Sequence, residues 1–426
     1  MLDVKRLRDE PDAAREGLRA KRAEGRLDEL LAVDVERRVV QAELEELRRR
    51  KNEVGERIAA AKRSGGDAGG LIAEMQGVKE SEQSVKIRVD ELEARAHEIL
   101  IWFPNLPADD VPRGFTEDDN VVLREVGEKR AFDFTPKPHW DLGADLGILA
   151  AEAAGRIAGS GFIVLERAGA RLERALCNFM LDLHGAEHGY EEIVAPVLAR
   201  SECLEGTAQL PKLADDMYHL ADDDLYLIPT GEVPLANRHR GEILAEADLP
   251  RRYTALTSCF RREAGAAGKD TRGMIRVHQF NKVEMVAFTT PEESDAELER
   301  MLAAAEDVPR ALGLPYRVLA LCSGDLSFAS HRTYDIEVWA PGVDRWLEIS
   351  SVSTCSDFQA RRMNTRYRAE EGGVRFVHTL NGSGTALPRT MIAVLESYQR
   401  ADGSIEVPEA LRPYLGGQTE ITRDER

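Results

Sequence analysis

Apolar residues in the first quarter of the chain recur at alternating spacings of four and three. Val40, Leu44, Leu47, Lys51, Val54, Ile58 and Ala61 form one such seam. Leu71, Met75, Val78, Glu82, Val85, Val89, Leu92, Ala96 and Ile99 form a second. This is the heptad pattern of helices that pack along a shared stripe. Residues 26–101 contain no proline and are rich in Ala, Glu, Arg, Leu and Val, a composition that favours long helices. The segment SGGDAGG, 64–70, separates the seams and predicts a reversal into an antiparallel hairpin. Such a hairpin faces Ala61 with Leu71, Val54 with Val78 and Leu44 with Val89. It also puts Lys51 and Glu82, the polar residues of the two seams, in one layer. A buried ion pair is expected there, fixing register at some cost in stability. A helix of about 35 residues would run roughly 50 Å.

Prolines 104, 107 and 112 in WFPNLPADDVPRG, 102–114, end this helical region, and the pattern then changes. Segments 161–165, 224–229, 252–260, 275–289, 315–321, 333–339, 345–353 and 374–379 read as strands. Helical periodicity runs over 166–188, 291–312, 354–364 and 386–400. Turns between strand pairs predict an antiparallel sheet packed on helices. The expected architecture is α+β, with a helical arm over 1–105 and a larger domain over 106–426. Neither GxxxxGK[ST] nor GxGxxG occurs, so a bound nucleotide must be held by other geometry.

A length of 426 residues suits two unequal domains, and a formal charge of −19 opposes nucleic-acid or membrane adhesion by the whole surface. There is no apolar run of about 18 residues and no apolar core of a signal peptide at the start, so a cytoplasmic protein without membrane contact is expected. Cys177, Cys203, Cys259, Cys322 and Cys355 are odd in number and never in a CxxC pair; mostly buried, reduced thiols are expected rather than disulfides or zinc.

Two local zones reverse the charge. Residues 48–88 hold ten basic and six acidic side chains, so Arg48, Arg49, Arg50, Arg57 and Lys79 are candidates for phosphate contact. A coiled coil for protein association is the alternative. The second zone, residues 251–282, holds eight basic and two acidic side chains around CFRREAGAAGKDTRGMIRVHQFNKVE, 259–284. It reads as strand, basic loop and returning strand, with Gly265, Gly268 and Gly273 letting the loop fold over a ligand. Arg261 and Glu263 alternate with Cys259, so both are expected on one face of the first strand.

Three segments resemble the signature motifs of class II aminoacyl-tRNA synthetases: RALCNFMLDLHGAEHGYEEIVAPVLAR (174–200), the hairpin (about 252–288), and the segment from HTLNGSGTALPRTMIAVLESYQ (about 378–403). More narrowly, LIPTGEVPL, FRREAGAAGKDTRG, VHQFNKVE, EISS and DFQARR are similar to bacterial seryl-tRNA synthetases, whose helical arm the N-terminal seams also match.

The resemblance implies formation of seryl-adenylate from serine and ATP, then transfer to tRNA(Ser), and to tRNA(Sec) where present. Arg261 would hold the α-phosphate and the serine carboxylate, Glu263 the adenine amino group, and Phe280 and Arg389 the two faces of the ring. Arg276 would meet the outer phosphates, with Val277 beside it. Glu348 and Ser351 would hold Mg²⁺. Thr230, Glu232, Glu284 and Ser383 would form the serine pocket, while Lys269 and Arg272 would meet the tRNA acceptor end. The family implies a homodimer, and the zinc-dependent archaeal branch does not fit a pocket without cysteine. His278 is expected to be structural. Gly161, Ala208, Gly231 and Val352 depart from the usual GSRF, GTGQLPK, TAE and SSCS patterns. They leave open a specialised copy that supplies seryl-tRNA to natural-product synthesis or resists a serine-analogue inhibitor.

Overall fold

The computed structural model describes residues 1–23, 25–264 and 272–423. The chain divides into two compact units, Met1–Pro104 and Asn105–Arg426.

In the first unit, α1 (Leu27–Arg63) and α2 (Gly69–Leu100) pack against each other. Every residue of both predicted seams is buried or half-buried, while the flanking positions are mostly exposed. The heptad stripe is thus the packing surface. Lys51 and Glu82 do pair, but with a third and a fifth of their side chains exposed they are half-buried rather than buried. At the edge of a two-helix seam, long side chains keep their charged ends in water. Arg48 reaches the same carboxylate at 3.5 Å.

The second unit is built on an eight-stranded sheet. Its strands are β1 (Val121–Val126), β2 (Glu191–Glu192), β3 (Arg251–Phe260), β4 (Gln279–Thr289), β5 (Tyr316–Ala320), β6 (Arg332–Ala340), β7 (Arg345–Thr354) and β8 (His378–Ala386). Their spatial order is β1-β5-β6-β7-β8-β4-β3-β2. All pairs are antiparallel except the short β2, which lies parallel to β3. The 161–165 segment, expected as a strand, makes only the bridge Leu149↔Leu165.

Helices α3 (His139–Leu146), α4 (Arg167–Ala186), α5 (Ser294–Ala311) and α6 (Leu387–Ser397) accompany the sheet. Leu172, Leu176 and Met180 recur at four-residue spacing on α4 and are fully buried, as are Met391, Ile392 and Leu395 on α6. They share one core with Val283, Met285 and Ala287 of β4 and Ile349 and Val352 of β7. Four of the five cysteines are buried and all are unbridged. The sheet face left uncovered by this core carries the polar residues of β4, β7 and β8 into a cavity.

Candidate active site

The cavity measures 530 Å³, and all twelve residues expected to bind serine, ATP or metal line it: Thr230, Glu232, Arg261, Glu263, Arg276, Val277, Phe280, Glu284, Glu348, Ser351, Ser383 and Arg389. They come from positions spread over 160 residues and meet because β3, β4, β7 and β8 are neighbours.

One end is buried. Glu284, on β4, faces Ser383 of β8 across the ladder, beside the irregularity between Ser383 and Thr385. Thr230 donates to Glu284 Oε2 at 3.0 Å and accepts from Lys282 Nζ at 2.7 Å, and Lys282 also forms an ion pair with Glu284. Lys282 and Glu284 are 7% and 2% exposed at the side chain, so this cation is part of the pocket. Sequence reading missed it. The alternation Lys282, Glu284 along a strand was the available signal, because both side chains must share a face.

Glu232 opens the short helix Glu232–Ala236 and is held by Gln359 Nε2 at 2.6 Å, Asn381 Nδ2 at 2.9 Å and Gln209 Nε2 at 3.3 Å. Burial nevertheless pushes its carboxyl up to about 7; the amide bonds oppose the shift and the charge of Glu284 adds to it. Gly231, where the family pattern has Ala, is closely packed: an added Cβ would lie 2.9 Å from Glu284 Cβ and 3.0 Å from Thr257 Oγ1. This glycine lets the segment sit against Glu284. Ala208 has φ 69°, the left-handed region that favours glycine, next to Gln209.

The other end is open and cationic. β3 ends at Phe260, so Arg261 and Glu263 do not share a strand face as expected; Glu263 has φ 52°. They reach the cavity because the chain turns: Arg262 N donates to Asp216 O at 2.8 Å, and Ala264 N to Asp216 Oδ1 at 2.8 Å. Arg261 Nε donates to Pro229 O at 3.2 Å, and its guanidinium lies 5.2 Å from the Phe280 ring centroid. Arg276 Nη1 pairs with Glu263 Oε2 at 2.7 Å. Arg389 Nη1 donates to Glu348 O at 2.8 Å and lies 3.4 Å from Glu348 Oε2. His278 serves the backbone, its Nδ1 donating to Arg261 O at 3.0 Å and its N–H to Gly161 O at 2.8 Å. A Cβ on Gly161 would stand 2.5 Å from the His278 ring.

Arg272 stacks 4.7 Å from the Trp140 ring centroid and lies 3.7 Å from Asp141. Lys269, Gly265 and Gly268 lie outside the described residues. On the arm, Arg49 pairs with Glu46 and Glu53, while Arg50 and Arg57 both reach Glu74. Lys79 is exposed and makes no ion pair among the described residues.

Residues 217–398 match the class II tRNA synthetase core domain (G, H, P, S and T), and residues 1–107 match the seryl-tRNA synthetase N-terminal domain. A serine–tRNA ligase of Caldanaerobacter subterraneus is 50% identical over 416 residues, 97% of this chain and 98% of the relative. Among solved structures, seryl-tRNA synthetase from Pyrococcus horikoshii complexed with ATP superposes with a TM-score of 0.92 at 35% identity over 100% of both chains. The cytoplasmic serine–tRNA ligase of Naegleria fowleri in complex with AMP gives a TM-score of 0.88 at 30% identity, covering 100% of this chain and 99% of that one. Sheet, cavity and core match together define a class II aminoacyl-tRNA synthetase. With the matching N-terminal domain and full-length relatives, the chain belongs to the seryl-tRNA synthetase family.

Proposed function

We propose that the buried end of the cavity selects serine and the open end holds ATP, so that the chain forms seryl-adenylate and passes serine to tRNA(Ser). The observation that carries this is the convergence of the twelve residues on one 530 Å³ cavity, with the buried carboxylates Glu232 and Glu284 at one end and arginines paired with more exposed carboxylates at the other. Serine's ammonium would meet Glu232 and Glu284, and its hydroxyl the polar set around Thr230 and Ser383. A pocket built to bond a hydroxyl rejects alanine by leaving its own groups unpaired.

Arg261, whose Nε donates to the carbonyl of Pro229 next to Thr230, would hold both the serine carboxylate and the α-phosphate as charge develops. Glu263 and Phe280 would receive adenine, Arg389 would cover its other face, and Arg276 with Val277 beside it would meet the outer phosphates. No side chain need act as nucleophile; orientation and electrostatics carry the step.

Mg²⁺ suits the oxygen donors of Glu348 and Ser351. Asp335, paired with Ser351 across β6 and β7, adds a buried Oδ1 without a hydrogen-bond partner among the described residues, and burial with the nearby Glu348 charge raises its carboxyl well above the usual range. The cation would neutralise phosphate charge there. For the arm, Arg48, Arg49, Arg50, Arg57 and Lys79 are the proposed contacts to tRNA, with Arg272 the described candidate at the acceptor end. The proposed partner is a second copy of the chain in the cytoplasm; the homodimer is supported by exposed apolar residues in the 174–200 segment, Val194 at 95% and Leu198 at 38%, and on β3, Leu256 at 37%.

ATP–pyrophosphate exchange with serine, threonine, alanine and no amino acid tests the reading. Serine alone should drive exchange; exchange equally strong without serine would overturn it. Deleting residues 45–85 should abolish tRNA charging and spare exchange.

A further inference from the structure

Two buried titratable side chains, His139 on α3 and Glu396 on α6, have no part in the chemistry above, and both are 0% exposed. All their polar atoms are accounted for. Glu396 Oε1 accepts from His139 N–H and from its ring Nδ1, each at 2.8 Å. Glu396 Oε2 accepts from the backbone N–H of Gly342 at 2.8 Å and of Val343 at 3.1 Å. The remaining ring nitrogen, Nε2, lies 3.0 Å from Met274 N. A backbone amide can only donate, so Nε2 must be the bare nitrogen and Nδ1 must carry the proton to the carboxylate. Four bonds to Glu396 therefore fix one tautomer of His139, and that tautomer presents an acceptor to Met274.

Met274 begins the segment that leads into β4 with Arg276 and Val277. The preceding Gly273 has φ 71°, and a Cβ there would sit 2.1 Å from His139 Nε2, so the close approach requires glycine. On the other side of Met274, Ile275 O accepts from Arg389 Nε at 3.3 Å. Arg389 and Glu396 are seven residues apart on α6 and so lie on one helix face. One helix thus grips Met274–Ile275 twice, directly through Arg389 and through His139 by way of Glu396. Trp140 and Asp141 extend the same contact to Arg272.

We propose that His139 is a positioning residue for the nucleotide end of the site: by accepting from the Met274 amide it sets the segment that carries Arg276. This rests on the reading of Arg276 as a phosphate ligand. Two substitutions divide the ring's functions. His139→Asn places an amide N–H where Nδ1 sits and keeps the bond to Glu396; His139→Gln places a carbonyl oxygen near Nε2 and keeps the acceptor for Met274. In serine-dependent pyrophosphate exchange, kcat/KM for ATP should fall about tenfold in His139→Asn and less than threefold in His139→Gln. Deuterium uptake at the Met274 amide of the full chain without ligands should rise only in the Asn variant. Equal losses in both variants, tracking their loss of melting temperature, would overturn the proposal, as would no loss in either. Wild-type protein without serine-dependent exchange would instead overturn the functional reading, while the amide uptake would still report on His139.

Discussion

The two ends of the cavity are built by different physics. At the proposed serine end, Lys282, Glu284 and Thr230 are buried and bonded to one another, and the buried Glu232 is held by Gln359, Asn381 and Gln209, before any ligand arrives. At the proposed nucleotide end, Arg276 is 37% exposed in its pair with Glu263, and Glu348 is 46% exposed in its pair with Arg389. Buried charge is costly to rearrange, so the first end is a fixed template that discriminates. Pairs that keep one member in solvent are weaker than fully buried ones and exchange more readily, so the second can trade its carboxylate partners for phosphates.

The largest expected effect that could break this contrast is on stability. Lys282→Met leaves Glu284 buried without its cation and should cost about 3–5 kcal/mol in denaturant unfolding. Saturating serine, whose ammonium replaces that charge, should recover part of the loss. An unchanged unfolding midpoint would mean that the serine end is not a preset network. Next, Arg261→Ala should slow pyrophosphate exchange about 100- to 1000-fold, the usual worth of one donor to developing charge; activity near wild type would remove Arg261 from the proposed mechanism.

The pH dependence of Glu232 sharpens the comparison further. Its carboxyl titrates in the fold at about 7, above the ordinary 4.5. Its contribution to stability is therefore fully present below about pH 4.5 and is lost as the pH rises through 7. Glu232→Gln should melt a few degrees above wild type at pH 8, with the difference closing towards pH 5. The smallest effect belongs to the open end: Glu263→Gln should change unfolding free energy by less than about 0.5 kcal/mol while raising KM for ATP. A large destabilisation there would erase the distinction between the ends.

What could be read from sequence divides by the range of the interaction. The arm's seams were legible because helix faces are set by spacings of three and four, and the facing of Lys51 with Glu82 followed from the hairpin centre alone. The site residues were legible through family motifs, which carry long-range geometry that periodicity lacks. Extending strand alternation to Arg261 and Glu263 failed because the ladder stops at Phe260. The 161–165 segment is apolar in pattern yet makes a single bridge, and its Ile163 and Leu165 are partly buried against the main core. His139 gave no signal: its partners lie 135 and 257 residues away, and only the fold brings them together.

The ion pairs along the helical arm carry a consequence for how it would meet a polyanion. A free lysine array binds phosphate largely by releasing condensed counterions, and its affinity falls steeply with salt. Arg48, Arg49, Arg50 and Arg57 already hold Glu82, Glu46, Glu53 and Glu74 as covalently attached counterions. Contact with a phosphate backbone is then an exchange of partners, in which each arginine leaves a carboxylate behind. The slope of log K against log salt should fall short of the number of cations on the arm, favouring tRNA that fits the arm's spacing over nucleic acid at large.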